Sequence, residues 1–179
     1  MDPRPKSIVL IGMMGAGKSA VGRSLQRRTG WSRFDMDEMI VTKAGLPIPE
    51  IFAQHGESWF RDLEAAVLTG LHPNEPSIVV TGGGVVLRPE NVAMLKNLGT
   101  IVWLEAGVDT LLERASRRGN RPLLQTENPR AALSELLETR RPLYAKVADI
   151  RIDTTHLGHE GVTDLILSEL EKGMGSSGE

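Results

Sequence analysis

The chain has 179 residues, 40% of them hydrophobic and 25% charged, and a formal net charge of −2. That length suits one compact domain, and the charge excludes a general electrostatic attraction to nucleic acid or to an anionic membrane, so a bound anion must be met by a local site. The lack of cysteine excludes disulfides, thiolate metal sites and a cysteine nucleophile, and it suits a cytoplasmic location.

From the amino terminus, MDPRPKSIVL holds too short an apolar run for a signal peptide, and no later stretch approaches the roughly 18 apolar residues of a membrane span. The first strand is expected at 7–11, SIVLI. Directly after it stands GMMGAGKS, residues 12–19, and then a helical stripe over 18–28 marked by Val21 and Leu25. This is GxxxxGKS in the strand–loop–helix setting that its chemistry requires. Glycines let the backbone turn around a phosphate so that successive N–H groups, with the helix N-terminus behind them, face its oxygens. Lys18 then supplies a cation for the β- and γ-phosphates of ATP, and Ser19 a hydroxyl ligand for Mg2+. The rival reading is a nucleotide-binding relic without activity.

A short strand is expected at 32–34, followed by FDMDE at 34–38. Asp35 and Asp37 stand two apart, so strand alternation could aim them differently. One acid can steady Mg2+ through water while the other accepts a proton from an attacking hydroxyl, the two tasks that phosphoryl transfer to an alcohol sets. Further strands are expected at 77–81, 100–104 and 150–152. Gly82, Gly83 and Gly84 follow the first of these, at the carboxyl end of a strand, where open α/β sheets bind ligands and where glycine lets the backbone approach one. Residues 117–127, RRGNRPLLQTE, break the pattern and read as a mobile loop. Asn128 before Pro129 reads as a cap and a first helical position, followed by the stripe of Ala132, Leu133, Leu136 and Leu137. A last helix carries Val162, Leu165, Ile166 and Leu170, and residues 173–179 read as a flexible tail. Apolar bursts alternating with helical stripes predict an α/β fold around a largely parallel, buried sheet.

The pieces GMMGAGKSAVG, FDMD, IPEIFAQHGESWFRDLE, TGGG, RPLL and RRPLY, in that order and spacing, resemble the shikimate kinase family over about residues 7–153. The resemblance implies a P-loop, nucleoside-monophosphate-kinase-like fold with a five-stranded parallel sheet flanked by helices. It implies a single domain over 1–172, with a substrate-binding region at about 35–64 and a lid at about 115–128. It also implies transfer of the γ-phosphate of ATP to the 3-hydroxyl of shikimate, on the way to chorismate and the aromatic amino acids; apart from the resemblance, the chain is expected to act as a monomer.

Carried over residue by residue, the resemblance lays the nucleotide on Gly15, Ala16, Gly17, Lys18, Ser19 and Ala20. Asp37 would face the shikimate hydroxyls as the base, and Asp35 would be the carboxylate near Mg2+. Arg61 would grip the substrate carboxylate through two parallel hydrogen bonds, with Glu64 one turn on to hold it. Without the surrounding motif, Arg61 and Glu64 would read as an exposed i,i+3 ion pair. Substrate would lie against Gly83 and its neighbours, Gly82 and Gly84. Arg140 would be the second arginine at the carboxylate, with Arg141 turned elsewhere on a helix. Arg121 would reach the transferring phosphate from the lid, as an internal arginine finger. Arg114 or Arg117 would stack on adenine, and Phe52, Phe60 and Pro122 would wall the site. Ala20 stands where the family often has threonine, and Val41 where it often has glutamate; neither departure touches a proposed catalytic group. His55, His72, His156 and His159 lack metal-ligand spacing and read as surface residues. The rival on this fold is another small-metabolite kinase, such as a gluconate kinase, and the set of Arg61, three glycines and Arg140 argues against it.

Overall fold

The structure is a computed structural model and describes residues 7–117 and 122–175. Five strands, β1 (Ser7–Ile11), β2 (Ser32–Asp35), β3 (Ser77–Val80), β4 (Gly99–Glu105) and β5 (Ile150–Asp153), form one parallel sheet in the order β2-β3-β1-β4-β5. A parallel sheet covered on both faces needs continuous apolar strands rather than alternating ones. β1 and β3 meet that need with SIVLI and SIVV, buried along their whole length. All five strands lie within a residue or so of their expected ends.

The helices among the described residues are α1 (Lys18–Thr29), α2 (Met36–Ala44), α3 (Ile48–Thr69), α4 (Pro89–Leu98), α5 (Val108–Ser116), α6 (Pro129–Val147) and α7 (His159–Gly175). Asn128 caps α6 as expected: its side chain accepts the backbone N–H of Ala131 at 3.1 Å, and Pro129 opens the helix. α3 is kinked at Gly56, whose φ of 79° and ψ of 175° only glycine adopts without cost. In the segment expected to be a mobile loop, Pro122–Leu124 forms a 3-10 turn, and residues 118–121 lie outside the described residues.

Two packing features fix the elements around the carboxyl edge of the sheet. At the far side, buried Glu105 ends β4 and pairs with Arg151 of β5 at 2.5 Å and with Arg141 of α6. Arg141 therefore points away from Arg140, as the helical spacing implies. At the near side, α1 sits close on β3 through Gly22: a Cβ there would stand 2.6 Å from Val80 Cγ2.

That close seat generates a test. An alanine at position 22 gains about 1 kcal/mol of helix propensity. It also meets a β-branched side chain that cannot rotate away, and overpacking of this kind costs about 1–3 kcal/mol. Gly22→Ala should lower the urea midpoint, and in a Val80→Ala background the same change should be neutral or stabilising. A raised midpoint for the single variant would contradict the close seat.

Candidate active site

The loop between β1 and α1 is shaped by three glycines at positive φ, Gly12 at 140°, Gly15 at 81° and Gly17 at 96°. A side chain on Gly12 would collide with the Leu104 carbonyl, and one on Gly15 with the Leu111 carbonyl, so the loop is pressed against the end of β4 and against α5. Gly17 precedes α1, and Lys18, Ser19 and Ala20 form its first turn. Lys18 is buried and donates from Nζ to the carbonyls of Gly12 at 2.6 Å and Met13 at 3.0 Å, which folds its charge back over the loop. Ala16 is buried and donates its N–H to Met13 O at 3.1 Å.

Asp35 ends β2 and caps α2, with Oδ1 accepting the N–H of Asp37 at 3.2 Å and Oδ2 accepting Arg33 Nη1 at 3.0 Å. Asp37 thus stands in the first turn of a helix, so strand alternation is not what arranges the pair. Both aspartates line one small cavity with Lys18, Ser19, Gly82 and Gly83. Its hydroxyl and carboxylate oxygens are hard donors of the kind Mg2+ takes. Each Asp35 oxygen has lone-pair capacity beyond the hydrogen bond it already accepts, which suits Asp35 to hold a metal-bound water.

A second cavity adjoins the first and is lined by Asp37, Phe52, Phe60, Arg61, Pro122 and Arg140, with the three glycines 82–84. The two share Met14, Asp37, Gly82 and Gly83, so Asp37 stands at their junction. Arg61 is 8% exposed and donates to Glu64 at 3.0 Å and to Glu57 at 3.1 Å and 3.4 Å. Glu64 is fully buried, so this is not the exposed pair that the spacing alone would suggest. Burial pushes the Glu64 carboxyl above the usual range; Arg61 pulls it back, Asp37 adds to the rise and Arg140 opposes it. Glu64 Oε1 makes no hydrogen bond among the described residues.

The glycine turn has a role beyond the expected one of bare backbone for a ligand. A Cβ on Gly84 would collide with the Arg61 guanidinium, one on Gly82 would stand 2.5 Å from Glu64 Oε1, and one on Gly83 would stand 3.5 Å from Arg140 Nη1. Glycine here makes room for the buried ion pair. Sequence reasoning missed Tyr144, four residues after Arg140 in α6. Its hydroxyl donates to the Gly83 carbonyl and lies 3.6 Å from Met13 Sδ, and burial pushes the phenol up to about 12. The i,i+4 spacing from Arg140 is the signal that would have found it. Arg33 was missed as well, and its signal is its place two residues before Asp35 on one strand, hence on the same face.

Arg114 donates to Thr154 Oγ1 at 3.0 Å and Thr154 O at 2.8 Å, which ties it to the segment after β5. Arg117 pairs with Glu113 on the surface, and Arg121 lies outside the described residues. The four histidines are exposed, as expected. A larger cleft of about 920 Å3, lined by Ile8, Trp31, Leu167 and Leu170, lies at the opposite edge of the sheet, away from the glycine turns and convergent cations.

The sequence matches the shikimate kinase family over residues 14–171. The chain belongs to that family. The shikimate kinase of Thermodesulfovibrio yellowstonii is 46% identical over 167 residues, which cover 93% of this chain and 96% of that protein. The structure of shikimate kinase from Acinetobacter baumannii in complex with shikimate superposes with a TM-score of 0.90 at 39% identity, over 94% of each chain. A gluconokinase from Sinorhizobium meliloti is alike in fold alone, with a TM-score of 0.61 at 20% identity over 98% of this chain and 99% of that one.

For a shikimate kinase family member built this way, Gly84→Ala drives a methyl into the Arg61 guanidinium, and moving that group away also disturbs its buried pair with Glu64. We expect affinity for a carboxylate-bearing acceptor to fall about tenfold or more and the melting temperature to fall as the buried pair is disturbed, with ATP affinity nearly unchanged. Wild-type acceptor affinity in the folded variant would contradict the seat described for Arg61.

Proposed function

We propose that this chain transfers the γ-phosphate of ATP to the 3-hydroxyl of shikimate, giving shikimate 3-phosphate on the route to chorismate and the aromatic amino acids. The observation that carries the reading is the meeting of Arg61 from α3 and Arg140 from α6 at one glycine turn, beside an aspartate that also borders the phosphate loop. Guanidinium groups grip a carboxylate through paired, planar hydrogen bonds. An acceptor without an anionic group has no use for two of them.

Asp37 orients the acceptor hydroxyl and takes its proton as the oxygen bonds to the γ-phosphorus, while the bridging oxygen leaves with ADP. The transfer is direct and in line, with no phosphoenzyme. Residues 15–20 cradle the phosphates, and Lys18 offsets charge on the phosphoryl oxygens together with Arg121 from a lid at about 115–128. Ser19 would hold Mg2+ directly and Asp35 through water, and the ion supplies charge neutralisation on the β- and γ-phosphates when bound. Arg61 and Arg140, with Gly82, Gly83 and Gly84, hold the carboxylate end of the substrate. Arg114, tied to Thr154, offers its guanidinium face to the adenine. Residues 1–172 act as one kinase unit with its substrate-binding region at about 35–64, working as a cytoplasmic monomer on small molecules alone. Among the described residues, no helix is long and apolar enough to cross a membrane.

Incubation with MgATP and one of shikimate, gluconate or a nucleoside monophosphate tests the assignment, with the phosphorylated product read by mass spectrometry. Shikimate alone should gain a phosphate; transfer to either of the others and not to shikimate would overturn the reading. Asp37→Asn keeps the shape and removes the base, so kcat should drop by about 100-fold or more while ATP affinity stays near wild type. Comparable turnover would exclude Asp37 as the base.

A further inference from the structure

The glycine turn poses a problem that its own residues do not solve. The carbonyl of Gly82 accepts the N–H of Val85 at 3.3 Å, and the carbonyl of Gly84 accepts the N–H of Leu87 at 3.0 Å. The middle carbonyl, that of Gly83, accepts the hydroxyl of Tyr144 instead. Rotating the peptide between residues 83 and 84 changes only ψ of Gly83 and φ of Gly84. Neither residue has a Cβ, so the residues themselves impose little steric barrier to turning that peptide over.

The direction of this peptide matters to the acceptor cavity. In a trans peptide the C=O and N–H point opposite ways. With the carbonyl turned to Tyr144, the N–H of Gly84 points away from Tyr144. Reversed, the peptide would turn a carbonyl oxygen, a partial negative charge, towards the side where Gly83 and Gly84 line the cavity with Arg61 and Arg140. There it would repel an anionic ligand and compete for the guanidinium donors. Tyr144 is well placed to prevent this. It is fully buried, its ring lies 5.8 Å from that of Trp103, and its hydroxyl also lies 3.6 Å from Met13 Sδ. It therefore has one rotamer-locked position from which to donate, and it stands on the helix that carries Arg140 one turn earlier.

We propose that Tyr144 is a positioning residue that locks the peptide between Gly83 and Gly84 in the orientation that admits the substrate carboxylate between Arg61 and Arg140. This rests on the reading of the acceptor as shikimate. A phenol that stays protonated far above neutral pH, as burial makes this one, keeps the donor available throughout the working range.

Tyr144→Phe removes one oxygen and keeps the packing. Steady-state kinetics should show KM for shikimate rising roughly tenfold, while kcat and KM for ATP stay within about twofold. A lower melting temperature with unchanged KM for both substrates would mean a structural role only and would overturn the proposal. Equal losses for both substrates would overturn it too. The orientation of the peptide is read separately in the ligand-free protein, from the chemical shift and hydrogen exchange of the Gly84 amide. Both should change in the variant, and an unchanged amide would overturn the lock whatever the acceptor proves to be. Should the variant fail to fold, the wild-type protein grown with 3-fluorotyrosine carries a single label, because the chain has one tyrosine. Its fluorine resonance should move on adding shikimate, and a resonance indifferent to saturating shikimate would overturn the coupling. A wild-type enzyme that fails to phosphorylate shikimate would sink the functional reading, while the amide measurement would still decide the lock.

Discussion

A buried arginine must bring its counter-charge with it, and in this chain Arg61 does so within a space that only glycine leaves open. Taking two charges out of water costs several kcal/mol per ion, an amount recovered only when geometry and hydrogen bonding are good. Glu64 and Glu57 supply that bonding from the same helix, three and four residues from Arg61. The turn at 82–84 supplies the room, since side chains at two of its positions would strike Arg61 or crowd Glu64. A pair of this kind adds little net stability compared with well-packed apolar residues. What it does achieve is placement, a guanidinium fixed at the wall of a cavity beside a second one.

The parallel sheet brings that wall to the phosphate loop. β2, β3 and β1 lie side by side, so the segments that leave their carboxyl ends emerge on one edge. They are the Asp35 and Asp37 segment, the glycine turn and the phosphate loop. The two cavities on this edge share four residues, and Asp37 is the ionisable one among them. A base between donor phosphate and acceptor hydroxyl is what the proposed direct transfer needs, and the strand order places a carboxylate at the junction of the two cavities without any long-range device. Arg33 steadies the neighbouring Asp35 from within β2, and Tyr144 joins the glycine turn to α6.

Much of this was legible in the sequence, for reasons that differ by element. The buried strands read clearly because short continuous apolar runs such as SIVLI and SIVV are what a strand covered on both faces requires. The phosphate loop read clearly because its glycines and its Lys–Ser pair are contiguous. α2 and α4 did not, because each buries only two residues and so shows little periodic contrast. The burial of Arg61 and Glu64 was hidden because i,i+3 spacing is the same for an exposed pair. What decides the matter is a glycine run some twenty residues away, whose second use as space for side chains appears only once α3 is laid against it. Tyr144 was given no role in the sequence, and its hydroxyl bond to Gly83 is a contact across 61 positions whose one local sign is the tyrosine's place a turn after Arg140.

The central claim is that Arg61 and Arg140 together recognise one carboxylate, and a thermodynamic cycle with the ligand as one partner tests it most directly. The binding of shikimate and of its uncharged methyl ester would be measured by calorimetry for the wild type, for Arg61→Met and for Arg140→Met. The account predicts that each substitution weakens shikimate far more than the ester, with a coupling energy on the order of 1 to 3 kcal/mol at each arginine. Coupling indistinguishable from zero at both would mean that the carboxylate is read elsewhere, and would contradict the account.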